Sequence, residues 1–390
     1  MDNKRKIKIG VWSLCIGMVL LLSGCMSGLR SETIIIPDTA EAVPADHGSA
    51  GFEVNTIYRL PYMNEDNVRV FTWVEPDALI RLYQGDNRSQ ILDRYDTPFE
   101  KPRRVLELDS YIIDSSGLSP DGRYFTGLAY ASEEKDNGYT LSLLSVNDGM
   151  KEEIDTLHSS LRLGGARALS WSSNSRYISY FTIAGQGGET GISVYDTEIK
   201  AKKSYLIPDL NEAESLHSVK LSNDGGSAVI VKEERGELAS FVLGRWKGGQ
   251  FVSEYEHTLA DSIQVDWLDN ERIVFVGTDG TLFTYDRRNA GISVLLDQVE
   301  GFQLSTDRQY IAYATKEAVI DVAKLQGNNL LNKKSVYRGL VAMQMAWSPD
   351  NGSLLIQGRK PYEIPAVIRP APQPALKDNN NQLFIVEFKK

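Results

Sequence analysis

Cysteine is nearly absent: the 390 residues include two, Cys15 and Cys25, both within the first 25 positions. Residues 26–390 therefore hold no disulfide, no thiol nucleophile and no thiolate metal site, and a domain of that size buries enough apolar surface to fold without such staples. Histidine is scarce too. His47, His158, His217 and His257 stand apart, with no metal-ligand spacing, so no metal and no cofactor is expected. No Gly-x-Ser-x-Gly elbow occurs, which argues against a fused serine hydrolase. The glycines at 185, 187 and 188 precede a strand pattern rather than a helix, so they lack the dipole of a phosphate loop. Cations are in deficit, 42 Lys and Arg against 52 Asp and Glu, a net charge of −10. Such a surface repels nucleic acid and anionic lipid, and no long basic amphipathic helix lies along the chain.

What is present begins at the N-terminus. Lys4, Arg5, Lys6 and Lys8 precede a mostly apolar run from Ile9 to Leu22, the length of a signal-peptide core and short for a membrane span. Leu22-Ser23-Gly24-Cys25 follows, and it resembles the lipobox of bacterial lipoproteins. The resemblance implies that residues 1–24 are a signal peptide and that the Cys25 thiol carries a diacylglyceryl group. The protein is then extracytoplasmic, held in the cell envelope by its lipid. Each buried methylene of such an anchor contributes about 0.8 kcal/mol. Met26 rather than Asp follows the cysteine, so the usual inner-membrane retention signal is missing. Loss of residues 1–24 leaves 38 cationic against 51 acidic residues, a net charge of −13. Residues 25–50 carry small, polar and acidic residues broken by Pro37, Pro44 and Gly48, and read as a flexible tether.

From residue 51 the strand period dominates, and one pattern recurs seven times: an apolar strand ending in Trp or Leu, a polar turn, and a second apolar strand. The anchors are Trp73, Leu118, Trp171, Leu221, Trp267, Leu304 and Trp347, about 46 residues apart on average, the period of a four-stranded propeller blade. The turns have a physical reason. Proline presets the first turn position, Asp or Asn closes it through its side chain, and Gly supplies a positive φ.

Leu118-Ser119-Pro120-Asp121-Gly122-Arg123-Tyr124 and Trp347-Ser348-Pro349-Asp350-Asn351-Gly352 resemble the repeat of TolB-type and WD-repeat-like bacterial propellers. The resemblance covers residues 51–390 and speaks to fold rather than function. The Gly-His and Trp-Asp pair of eukaryotic WD repeats is missing, and Val74 and Leu268 replace the serine after the anchor. The expected fold is all-β, a seven-bladed β-propeller of four-stranded blades, with six as the alternative count. The last unit ends at its third strand, 382–387, so its fourth is expected from residues 55–60, which would close the ring and leave no open edge.

Function is expected on the rim where connections between second and third strands gather. The longest, 359–381, contains five prolines, and Arg359, Tyr362 and Arg369 are the candidate partner-binding residues. The alternative for these cations is neutralisation of Glu133, Glu134, Glu233 and Glu234. No catalytic constellation stands out. The reading is a monomeric, non-catalytic scaffold for a protein or cell-wall partner, against an alternative glycan lyase or hydrolase with acid and base groups in the central channel.

Overall fold

The computed structural model describes residues 34–35, 52–60, 68–85, 89–99, 101–108, 111–112, 117–130, 139–157, 169–183, 190–208, 214–234, 236–260, 263–361 and 381–389. Cys25, Tyr362, Arg369, His47, His158, Glu133, Glu134 and the glycines at 185–188 lie outside the described residues. The chain divides at Ile34, and the unit Ile35–Lys390 is an all-β propeller, with no α-helix among the described residues.

Within each run of four consecutive strands the chain passes from an inner to an outer strand. The first holds Val68–Glu75, Ala78–Gln84, Gln90–Asp96 and Pro102–Leu108, and the next Tyr111–Ile112, Tyr124–Tyr130, Tyr139–Ser145 and Lys151–Leu157. An eight-stranded sheet comes third. One half is Ser170–Trp171, Tyr177–Ile183, Thr190–Asp196 and Ala201–Leu206; the other is Glu214–Leu221, Ser227–Glu234, Ser240–Lys247 and Gln250–Thr258. The halves meet through one parallel pair, Leu206 with Gln250. Val265–Trp267, Arg272–Val276, Leu282–Asp286 and Gly291–Leu296 follow, in a sheet that also includes the short strand Ile34–Ile35, within the span read as tether. Then come Val299–Leu304, Tyr310–Thr315, Val319–Gln326 and Asn329–Arg338. Among the described residues, five sheets are thus four-stranded blades, one with an added strand, and a sixth has eight strands.

The last sheet closes the chain on itself. Val341–Trp347, Ser353–Arg359 and Asn381–Phe388 take Val54–Leu60 as their outermost strand, with Leu60 opposite Leu383 and Val54 opposite Phe388. The C-terminal strand therefore has a partner on both sides, as a strand buried at a ring closure needs.

Alternating apolar residues turn the two faces of each sheet into shared cores. Ile80, Leu82 and Leu92 of the first sheet pack against Phe125, Leu144 and Val146 of the next. Leu60, Leu383 and Ile385 of the last pack against Phe71, Trp73 and Leu79 of the first. Six anchors are buried and Leu118 is half-buried. Truncating one buried tryptophan in such a core costs about 3–5 kcal/mol.

The turn after five of the seven anchors is held by a serine that is itself buried. Ser119, Ser172, Ser222, Ser305 and Ser348 are each at most 1% exposed. Each hydroxyl donates to the carboxylate or amide oxygen two residues on, at 2.6–2.8 Å. Each also accepts from the backbone N–H five residues on. One hydroxyl so satisfies both strand ends, and this pins the turn end of the propeller.

Candidate functional site

The tryptophan anchors bond as well as pack. Trp171 Nε1 donates to the Gly117 carbonyl, Trp267 Nε1 to Lys220 and Trp347 Nε1 to Gln303, at 3.0–3.1 Å. Each acceptor is the residue just before the anchor of the preceding unit. Inner strands are thereby fixed side by side, and their turns converge at one end of the central channel.

At that end lies a cavity of about 200 Å³, lined by successive inner strands and turns, among them Ser173, Lys220, Asp266, Gln303, Thr306 and Arg308. Asp266 precedes the anchor Trp267 and faces cations from both sides. Arg308 Nη1 is 3.0 Å from its Oδ2, and Lys220 Nζ is 3.7 Å from its Oδ1. Lys220 also donates to the Val265 carbonyl at 2.9 Å. Burial pushes the Asp266 carboxyl up, but the charges of Arg308 and Lys220 outweigh it and hold the group below the usual carboxylate range. Asp266 is the one carboxylate among the residues lining this cavity. An ionised acid clamped by two cations is a poor proton donor, and among the described residues no second carboxylate lines the cavity. The arrangement suits binding.

The rim at the opposite strand ends carries the sequence candidate Arg359, which ends the strand Ser353–Arg359 opposite Asn381 and Val341. Arg359, Lys360 and Pro361 are exposed, and Val341 (39%) and Met343 (54%) expose apolar surface on the adjoining strand. Cations therefore sit beside an apolar patch, a combination common in protein interfaces. Glu233, named as a carboxylate that these cations could neutralise, lies 2.8 Å from His217 Nε2 instead. His257 Nδ1 is 3.0 Å from the Tyr255 hydroxyl. No group of three or more His, Cys, Asp or Glu that could hold a metal occurs among the described residues.

Sequence reasoning missed Lys220, Asp266 and Arg308. A signal was available: in the turn Leu304-Ser305-Thr306-Asp307-Arg308, arginine stands where the repeats of Leu118 and Leu221 have Gly122 and Gly225.

The chain is similar in fold to a chain of the mitotic checkpoint complex, with a TM-score of 0.52 and 12% identity, over 90% of this chain and 99% of that one. The fold is a β-propeller. The C-terminal WD40 domain of Sif2 is similar at a TM-score of 0.46 and 13% identity, over 87% of this chain and 99% of that one. Tricorn protease is similar at a TM-score of 0.44 and 12% identity, over 69% of this chain and 30% of that one. At these identities the likeness concerns the fold of the propeller alone. No family model matches the chain, and no curated protein matches it in sequence.

Proposed function

We propose that the chain is an extracytoplasmic bacterial lipoprotein whose propeller is a non-catalytic scaffold, tethered by lipidated Cys25 and contacting a protein or cell-wall partner through the 359–381 rim. The observation that carries the scaffold reading is the joint between inner strands. Tryptophan bonds at four of these joints make a stiff ring, and a stiff ring presents loops at fixed positions. A chain of similar fold belongs to a protein complex, the mitotic checkpoint complex, and an assembly role is proposed for this chain too. The anchor reading rests on the basic start, the apolar run and Leu22-Ser23-Gly24-Cys25.

The propeller is proposed to have seven blades. What supports the count is the eight-stranded sheet, whose halves share one residue pair between outer strands and are each a complete inner-to-outer set of four. Apolar clusters also join each four-stranded set to the next and the last to the first.

Replacement of Cys25 by Ser tests the tether. The account expects the wild-type chain in the membrane fraction with a lipid mass on Cys25, and the variant released or unprocessed. Membrane retention of the mature chain without a lipid mass would refute it.

A further inference from the structure

Arg308 occupies a backbone position that related turns give mostly to better-suited residues. The fourth residue after the anchor has a left-handed φ in five turns: 72° at Gly122, 61° at Ser175, 69° at Gly225, 62° at Arg308 and 57° at Asn351. Glycine takes that conformation without cost and asparagine takes it more readily than other side chains, whereas a long side chain resists it. Costly backbone of this kind concentrates where function requires it.

Contact with the neighbouring turn does not require arginine. Ser175 Oγ accepts from the Asp121 N–H, and Asn351 Nδ2 donates to Asp307 Oδ2, each reaching only the preceding turn. Arg308 reaches further, to Asp266 on the preceding inner strand and into the channel cavity. What the arginine adds over Ser or Asn is a cation placed inside the ring.

That cation is not fully used. Arg308 bonds Asp266 through Nη1, while its Nε is buried without a hydrogen-bond partner. The Lys220 side chain is 38% exposed and lines the same cavity. Two cations against one carboxylate leave a single positive charge in excess, within a protein of net charge −10. One excess charge matches a monoanion, whereas a doubly charged phosphate would bring a second negative charge that the two cations do not balance. A cavity of about 200 Å³ has the volume of roughly six or seven liquid waters, room for a small solute rather than a polymer.

The geometry points to a binding site for a small monocarboxylate at the turn end of the channel, its carboxylate bridging Lys220 and Arg308 beside Asp266. The site rests on the reading of the propeller as a binding rather than a catalytic domain, and it needs neither Cys25 nor the 359–381 rim.

Calorimetric titration of the full chain in detergent with sodium acetate, at ionic strength held constant with sodium chloride, tests the site. The wild-type chain should bind acetate saturably at one site, and more tightly than inorganic phosphate. Arg308→Gly, which suits the left-handed φ, should weaken acetate binding at least tenfold, and Lys220→Met should weaken it comparably. Absence of saturable acetate binding by the wild type would overturn the site. So would affinity unchanged in Arg308→Gly with a lowered Tm, which would make Arg308 only a tie between units. Tighter binding of phosphate than of acetate would overturn the carboxylate assignment. Loss of crosslinked partners on altering the rim, with acetate binding intact, would bear on the scaffold reading alone.

Discussion

The indole Nε1 of Trp73 donates to the carbonyl of Ala346 at 3.0 Å, across 273 positions of sequence. Ala346 immediately precedes Trp347, so this bond repeats at the closure what Trp171, Trp267 and Trp347 do within the chain. The first and last repeats are joined by the same device as three other joints of the ring. Trp73→Phe keeps much of the apolar contact and removes the donor, and should cost about 1 kcal/mol. Trp73→Ala should cost about 3–5 kcal/mol. Urea denaturation of both variants measures the difference, and equal losses would contradict a separate role for the bond.

Val54–Leu60 is the second closure. Deleting residues 52–60 removes the partner of Asn381–Phe388 along with the burial of Leu60. The expected loss is several kcal/mol, with a new open edge that promotes association. Calorimetry should show a lower Tm and size-exclusion chromatography should show self-association. An unchanged Tm would mean that the ring closes without this strand.

The buried turn serines should be individually costly. Ser348→Ala leaves the Ser353 N–H without its hydroxyl acceptor and removes one of the donors to Asp350 Oδ1, for about 1–3 kcal/mol. Ser348→Thr retains the hydroxyl but crowds a site with no exposed surface, so it should rescue only part of the loss. Chemical denaturation gives both values, and full stability of Ser348→Ala would remove the serine from the account of the turn.

Acid should reach the channel through Asp266. Its folded pKa lies below the ordinary aspartate value of 3.8, so its ionised form stabilises the fold above that value. This contribution is lost as pH falls below about 4. Asp266→Asn should be less stable than wild type at pH 7, with the gap narrowing toward pH 3. Thermal melts across that range measure it, and a gap that widens on acidification would contradict the assignment.

How far the sequence carried this fold depended on which residues pack. The period of the anchors and the Pro-Asp-Gly turns located the blades, because the anchors are large and the turn positions admit few residue types. Strands such as Arg272–Val276 and Pro102–Leu108 are legible because an apolar run or a proline marks them. The outer strand Asn329–Arg338 is harder to bound, since Asn329-Leu330-Leu331-Asn332-Lys333-Lys334 is only partly buried and shows no apolar alternation. The channel trio was illegible for a different reason. Lys220, Asp266 and Arg308 lie 88 positions apart end to end, and only the stacking of successive inner strands brings them together. Of the rim candidates, Arg359 is placed exposed at a strand end beside Val341.

The scaffold reading is tested most directly by crosslinking in intact cells followed by mass spectrometry, comparing the wild-type chain with one whose residues 359–375 are replaced by a short Gly-Ser linker. The account predicts that the variant stays folded and membrane-bound and loses the protein or cell-wall partner that the wild type captures. A folded, membrane-bound variant that retains every crosslinked partner would contradict it.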